Sequence, residues 1–173
     1  MTEESPTIPE VPPVAPAIPP RGRLLGIDHG MVRIGLAICD TDRIMASPLE
    51  TYTRKNTARD TEYYRQVVRK EEVVGIIVGL PIHMSGNEST QSDEARRYAS
   101  WLHTITGLPI ALHDERCTSS AAEDTLWAAG LTHKQRKARR DQLAAQLILQ
   151  AYLDTNAKSI ATSLPSEQTL DPG

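Results

Sequence analysis

The chain predicts an α/β domain built on a mixed five-stranded sheet, three antiparallel strands followed by parallel crossovers, with helices on both faces. Three observations predict it. Short β-rich apolar runs, separated by turn residues, fill residues 23–53. From Thr57 onward a helical period alternates with strand-like runs. Val73 to Gly79 (VVGIIVG) is apolar on both faces, as a strand in the middle of a sheet must be.

Arg23 to Asp28 (RLLGID) and Val32 to Cys39 (VRIGLAIC) read as two strands joined by a tight turn at His29-Gly30-Met31. A second turn at Asp40 to Arg43 leads into a third strand, Ile44 to Thr53, and Pro48 suits an edge because it cannot donate to a ladder. Asn56 or Thr57 caps a first helix carrying Tyr64, Val67 and Val68 on one side. The fourth strand, Val73 to Gly79, runs into a loop over 80–89. Ala95, Tyr98, Ala99, Leu102 and Ile105 mark a second helix that Gly107 ends. Leu108 to Glu115 (LPIALHDE) is a fifth strand, and Ser120 with Glu123 forms a capping pair for a helix reaching Gly130. A basic loop then precedes a last amphipathic helix with Leu143, Ala144, Leu147, Ile148 and Ala151; the last two helices are separate or one broken unit. In such a sheet, chemistry belongs near the carboxyl ends of strands where the strand order reverses.

Composition narrows the classes. The chain has 173 residues, a size for one domain. Residues 1–20 hold seven of the 12 prolines and three acids (Glu3, Glu4, Glu10) without a base. Residues 1–21 therefore read as a disordered Pro-rich arm, 22–155 as the folded domain and 156–173 as a disordered tail. The formal net charge of -3 sits in those two ends, since residues 21–155 sum to +1. The longest apolar stretch, Val73 to Leu80, is far short of the roughly 20 residues that span a bilayer. No membrane partner is expected. Two cysteines, Cys39 and Cys117, form neither a disulfide framework nor a zinc spacing, which suits a reducing cytoplasm. An aromatic fraction of 4% argues against a base-stacking sheet of the RRM or OB type.

Three carboxylates stand out by position. Asp28 ends the first strand, Asp114-Glu115 closes the fifth, and Asp141 opens the last helix. Each alone suits a turn, a solvated strand end or a helix N-terminus. Together, strands one, four and five lie side by side under the last helix, and Asp28, Glu115 and Asp141 could converge. Such a cluster repels itself unless a cation is bound, and hard oxygen donors suit Mg²⁺ or Mn²⁺. Two ions about 4 Å apart stabilise attacking and leaving oxygens in phosphodiester hydrolysis. Lys134, Arg136, Lys137, Arg139 and Arg140 place five cations just before Asp141. Beside such a cleft they suit phosphate, and Arg33 and Arg116 are further candidate contacts. The five histidines show no metal-ligand spacing, though His83 or His113 could protonate a leaving oxygen.

These segments resemble the YqgF/RuvX family of pre-16S rRNA nucleases, also described as Holliday junction resolvase-like proteins. The resemblance is carried by Gly26-Ile-Asp28-His-Gly30 with Arg33-Ile-Gly35-Leu-Ala37, by Gly79-Leu-Pro81 with Met84 and Gly86, by Asp114-Glu115-Arg116 with Thr118-Ser119, and by Asp141-Gln-Leu-Ala-Ala145 with Ile148-Leu-Gln150 and Tyr152-Leu-Asp154. It spans residues 23–154. It implies an RNase H-like fold, with metal-binding catalytic carboxylates at Asp28, Glu115 and Asp141. It also implies structured RNA (pre-16S rRNA) or branched DNA as partner, and a monomer or homodimer. Strand alternation lets only one of Asp114 and Glu115 face the cleft, and the family pattern selects Glu115. His29 stands where the family often has Tyr, and His83 and Ser85 where Asn and Asp are common. Two other classes are open on the residues alone. A sugar-kinase/actin-like ATPase also carries an Asp-x-Gly after its first strand but needs two such domains. A non-catalytic RNA-binding assembly module would not need all three acids.

Overall fold

The computed structural model describes residues 17–81, 90–114, 130 and 132–163. Five strands, β1 (Arg23–His29), β2 (Arg33–Cys39), β3 (Ala46–Thr53), β4 (Val73–Leu80) and β5 (Ile110–Asp114), form one sheet in the order β3-β2-β1-β4-β5. The β1–β2 and β2–β3 pairs are antiparallel, and the β1–β4 and β4–β5 pairs are parallel. Helices α1 (Thr57–Lys70), α2 (Thr90–Thr106) and α3 (His133–Ser163) complete the described elements. None is long and apolar enough to cross a membrane. The helix expected over 120–130 and most of the 80–89 loop lie outside the described residues.

Local chemistry sets the element ends. Asn56 caps α1, its Oδ1 accepting from the Arg59 N–H at 3.0 Å. Gly107 leaves α2 at a φ of 71°, which favours glycine. Pro48 lies on the outer strand β3, where its missing N–H costs no ladder bond.

The sheet buries both faces because its strands alternate cleanly. On one face Leu25, Ile27, Ile34, Leu36, Ile76 and Val78 pack with Tyr64 and Val67 of α1 and Tyr98, Ala99 and Leu102 of α2. On the other, Leu24, Ala37, Cys39 and Ile77 meet Ala145, Ile148, Leu149 and Leu153 of α3. Cys39 is a packing residue there, its sulfur accepting from the Leu24 N–H, while Cys117 lies outside the described residues.

The last helix departs from expectation at both ends. The five cations before Asp141 are not in a loop but in the first turns of α3, and Asp141 lies inside that helix. The cause is a reciprocal cap one residue upstream. The Gln135 N–H donates to Thr132 Oγ1 at 3.3 Å, and the Thr132 N–H donates to Gln135 Oε1 at 3.0 Å. Lys, Arg, Gln and Ala are also strong helix formers. At its far end α3 continues to Ser163, beyond the boundary after residue 155 that composition suggests. Near the other boundary, Ile18 packs against the α3 face of the sheet.

Candidate active site

The site grows from two glycines. Gly26 on β1 and Gly35 on β2 face α3. A Cβ on Gly35 would lie 1.8 Å from the Asp141 carbonyl oxygen, and one on Gly26 would lie 2.7 Å from Leu149 Cβ. The helix backbone therefore rests directly on the strands. Gln146 and Gln150 fasten its outer side: Gln146 Nε2 donates to the Ala46 carbonyl at 2.9 Å, and Gln150 Oε1 accepts from the Ala46 N–H at 2.8 Å.

Alternation along β1 puts Asp28 on the same face as Leu24 and Gly26, and its pairing partner across the ladder is Gly35. Asp28 thus stands beside the Asp141 segment at the carboxyl end of the central strand. Burial, then the charge of Asp141, raises its pKa to about 6. Arg33, expected as a phosphate contact, is tied within the site to one of its acids. Its Nε donates to Asp141 Oδ2 at 2.8 Å, balancing that carboxylate from within the site. The sequence separation of this pair hid it from any local reading.

Asp114 shares its strand parity with Ile110 and Leu112, which face α1 and α2. Asp114 therefore does not join Asp28 and Asp141. Glu115 and Arg116 lie outside the described residues. Among the described residues, no three His, Cys, Asp or Glu side chains gather as a metal cage, and Asp28 with Asp141 is a pair. The donor chemistry of that pair fits a hard divalent cation: two carboxylates, one of them destabilised by burial and like charge, gain most from a positive ion.

His113, on the α3 face of β5, makes an edge contact with Tyr152, ring centroids 6.1 Å apart. Burial lowers its pKa against the opposing charge of Asp114, which favours the neutral ring. His83 lies outside the described residues, and His103 is tied by its Nδ1 to the Leu108 carbonyl at 2.7 Å.

The cations extend from this point. α3 runs antiparallel to β1, so residues 133–140 continue past the carboxyl end of β1 by about 12 Å of helix. Lys134, Lys137 and Asp141 fall at helical spacing on one stripe, whereas Arg136, Arg139 and Arg140 point elsewhere around the helix. Both lysines are exposed. Their helical placement, which a loop would not supply, is what lines them up with the acids.

Solved structures share this architecture. Thermus thermophilus RuvC in complex with a Holliday junction substrate superposes with a TM-score of 0.51 at 16% identity, over 79% of this chain and 96% of that one. The fowlpox virus resolvase with Holliday junction DNA gives 0.50 at 8% identity, over 78% and 99%. The fold is RNase H-like, and with the sequence relatives below it defines a nuclease, a hydrolase acting on nucleic acid. Residues 22–155 match the family profile described as "RuvX: Holliday junction resolvase", and the chain belongs to that family. A Rhodopirellula baltica relative named "Putative pre-16S rRNA nuclease" is 44% identical, covering 79% of either chain. A Zymomonas mobilis relative of the same name is 39% identical over 82% of this chain and 86% of its own.

Proposed function

We propose that this nuclease is a metal-dependent endonuclease that processes the 5′ end of pre-16S rRNA in the cytoplasm during ribosome biogenesis. The observation that carries the reading is the crowded Asp28–Asp141 pair at the carboxyl end of the central strand, in a chain 44% identical to a relative with that printed name. Asp28, Asp141 and Glu115 would hold Mg²⁺ or Mn²⁺. Glu115 enters because the family pattern selects it and because Asp114 has the wrong strand parity.

The bound ion would supply Lewis-acid polarisation of the phosphate and a water of lowered pKa. The chain's own residues do the rest. Asp28, half-buried and proton-prone, keeps its carboxyl fixed on a central strand. Arg33 orients Asp141 through the 2.8 Å bond. Lys134 and Lys137 hold the sugar–phosphate backbone on the projecting helix, with Arg136, Arg139, Arg140 and Arg116 as further contacts. The test is cleavage of a precursor rRNA fragment with Mg²⁺ or Mn²⁺ against EDTA. Absence of cleavage with either metal rejects the reading.

Resolution of branched DNA is the second reading, favoured by the family description and by the shared architecture with junction-bound RuvC. A four-way junction requires two active sites and so a homodimer. A monomer by sedimentation together with cleavage of rRNA selects the first reading.

Replacing Lys134 and Lys137 by Gln is expected to weaken RNA binding evenly across sequences. The slope of log affinity against log salt should fall by roughly 1 per lysine. An unchanged slope removes the two residues from the interface.

A further inference from the structure

A cleft of about 390 Å³ opens on the opposite face of the sheet end, lined by His29, Met31, Arg54, Glu94, Arg97 and Trp101 among others. Its composition differs from the carboxylate site. His29 and Tyr98 pack with ring centroids 4.3 Å apart, and Tyr98 and Trp101 at 5.3 Å, giving a continuous aromatic wall. Arg54 lies over the Tyr98 ring at 5.5 Å and within 4.0 Å of Asp60, so it is held in the wall. Arg97, by contrast, is exposed at the rim. Asp60 is already satisfied by the Tyr52 hydroxyl at 2.6 Å and the Lys55 N–H at 2.9 Å. Among the described residues that leaves Glu94, whose charge acts on His29, as the carboxylate in the lining without such a hydrogen bond, and Met31 as an exposed apolar side chain of the same lining.

We propose that this cleft takes one unpaired nucleobase of the substrate, extruded next to the phosphate that the basic helix α3 brings to the Asp28–Asp141 site. The proposal rests on the nuclease reading and adds a base subsite to it. An aromatic wall binds the π-face of a base. A carboxylate accepts from the N–H groups on a base edge, which guanine, with N1–H and an exocyclic amine, offers in pairs. Arg97 meets the neighbouring phosphate, and Met31 fills the place beside the stack the base has left. The two sites are one residue apart on β1: alternation sends the Asp28 side chain to the α3 face and His29 to the cleft. A backbone crossing the strand ends at Asp28 can therefore drop its adjacent base over the edge of the sheet. The volume suits a nucleoside-sized ligand.

The test is binding by fluorescence anisotropy, in EDTA so that nothing is cleaved, of two labelled RNA duplexes, one fully paired and one with a single bulged guanosine. The full chain should bind the bulged duplex roughly tenfold tighter, the scale of one base–aromatic stack. Glu94→Ala and Trp101→Leu should each erase most of that preference without weakening binding of the paired duplex, whereas Arg97→Ala, which removes a phosphate contact, should weaken both duplexes alike. Trp101 is packed against the core, so thermal melting accompanies that variant, and the part-exposed Glu94 serves as the second, structurally quiet one. Asp28→Asn should keep the preference whole, which separates failure of the base subsite from failure of the catalytic reading. Equal binding of the two duplexes by the unaltered protein overturns the proposal. So does a preference that survives both cleft substitutions, and the cleft would then be free for a protein partner.

Discussion

Asp28→Asn is expected to make the protein more stable and inactive at once. The Asp28 pKa is raised from 3.8 to about 6 in the folded chain, by burial first and by Asp141 second. Between those two values the folded state binds more protons than the unfolded one, so stability falls as pH rises through the window. Below pH ~4 both states are protonated and Asp28 costs nothing. Above pH ~6 the full penalty applies, at most about 3 kcal/mol for a shift of this size. Asn has the same shape without the charge. The variant should therefore melt several degrees higher than the parent at pH 7.5 and coincide with it near pH 4. Cleavage should drop by roughly a thousandfold or more, the scale on which essential active-site groups act. Mg²⁺ should raise the melting temperature of the parent but not of the variant, because the ion binds the folded state through the removed carboxylate. A variant less stable than the parent at pH 7.5, with an intact fold, would show that Asp28 is a structural acid.

Gly35→Ala is expected to be the most damaging single methyl group in the described structure. Its Cβ would sit 1.8 Å from the Asp141 carbonyl oxygen, 2.2 Å from the carbonyl carbon and 3.0 Å from Cα. These are backbone atoms of a helix held on its other side by Gln146 and Gln150, so no rotamer relieves the clash. α3 must lift, at a cost of about 3 kcal/mol, the upper end of ordinary overpacking. Lifting it also moves Asp141 away from Asp28. Activity should fall further than stability, with kcat reduced at saturating RNA and binding by Lys134 and Lys137 retained. Gly26→Ala, 2.7 Å from Leu149 Cβ and 3.0 Å from the Ala145 carbonyl oxygen, should be milder. Gly75→Ala, 3.1 Å from the movable tip of Leu24, should be milder still. Melting curves for the three variants check the order. A Gly35→Ala protein with parental stability and kcat would mean that the helix is not seated on the strands as described.

Most of the sheet was legible because its signals are local. Turn residues bracket β1, β2 and β3, Asn56 caps α1, and the apolar run of β4 announces a central strand. The start of α3 departs from the loop its charges suggest. Five cations within seven residues suggest a solvated loop, and the Thr132–Gln135 pair that turns them into helix is short and easily passed over. The Arg33–Asp141 bond was illegible for a different reason: 108 residues separate its partners, and Arg33 has nothing about it in sequence that favours an acid over a phosphate. The base cleft was hidden likewise, since His29, Arg54, Glu94 and Trp101 come from three separate parts of the chain.

The sequence by itself determined the period of most elements, and hence which residues share a face: Asp28 with Gly26 on β1, Tyr98 with Ala99 and Leu102 on α2. Those relations need only the two-residue repeat of a strand and the 3.6-residue repeat of a helix. Only the tertiary structure decided that the two acidic faces meet, that Arg33 neutralises one acid and that burial leaves the other near pH 6. The physical reason is close approach. Two residues without side chains let a helix lie on the strands, and charge interactions at such contact distances depend on the solvent excluded there, which no periodicity encodes.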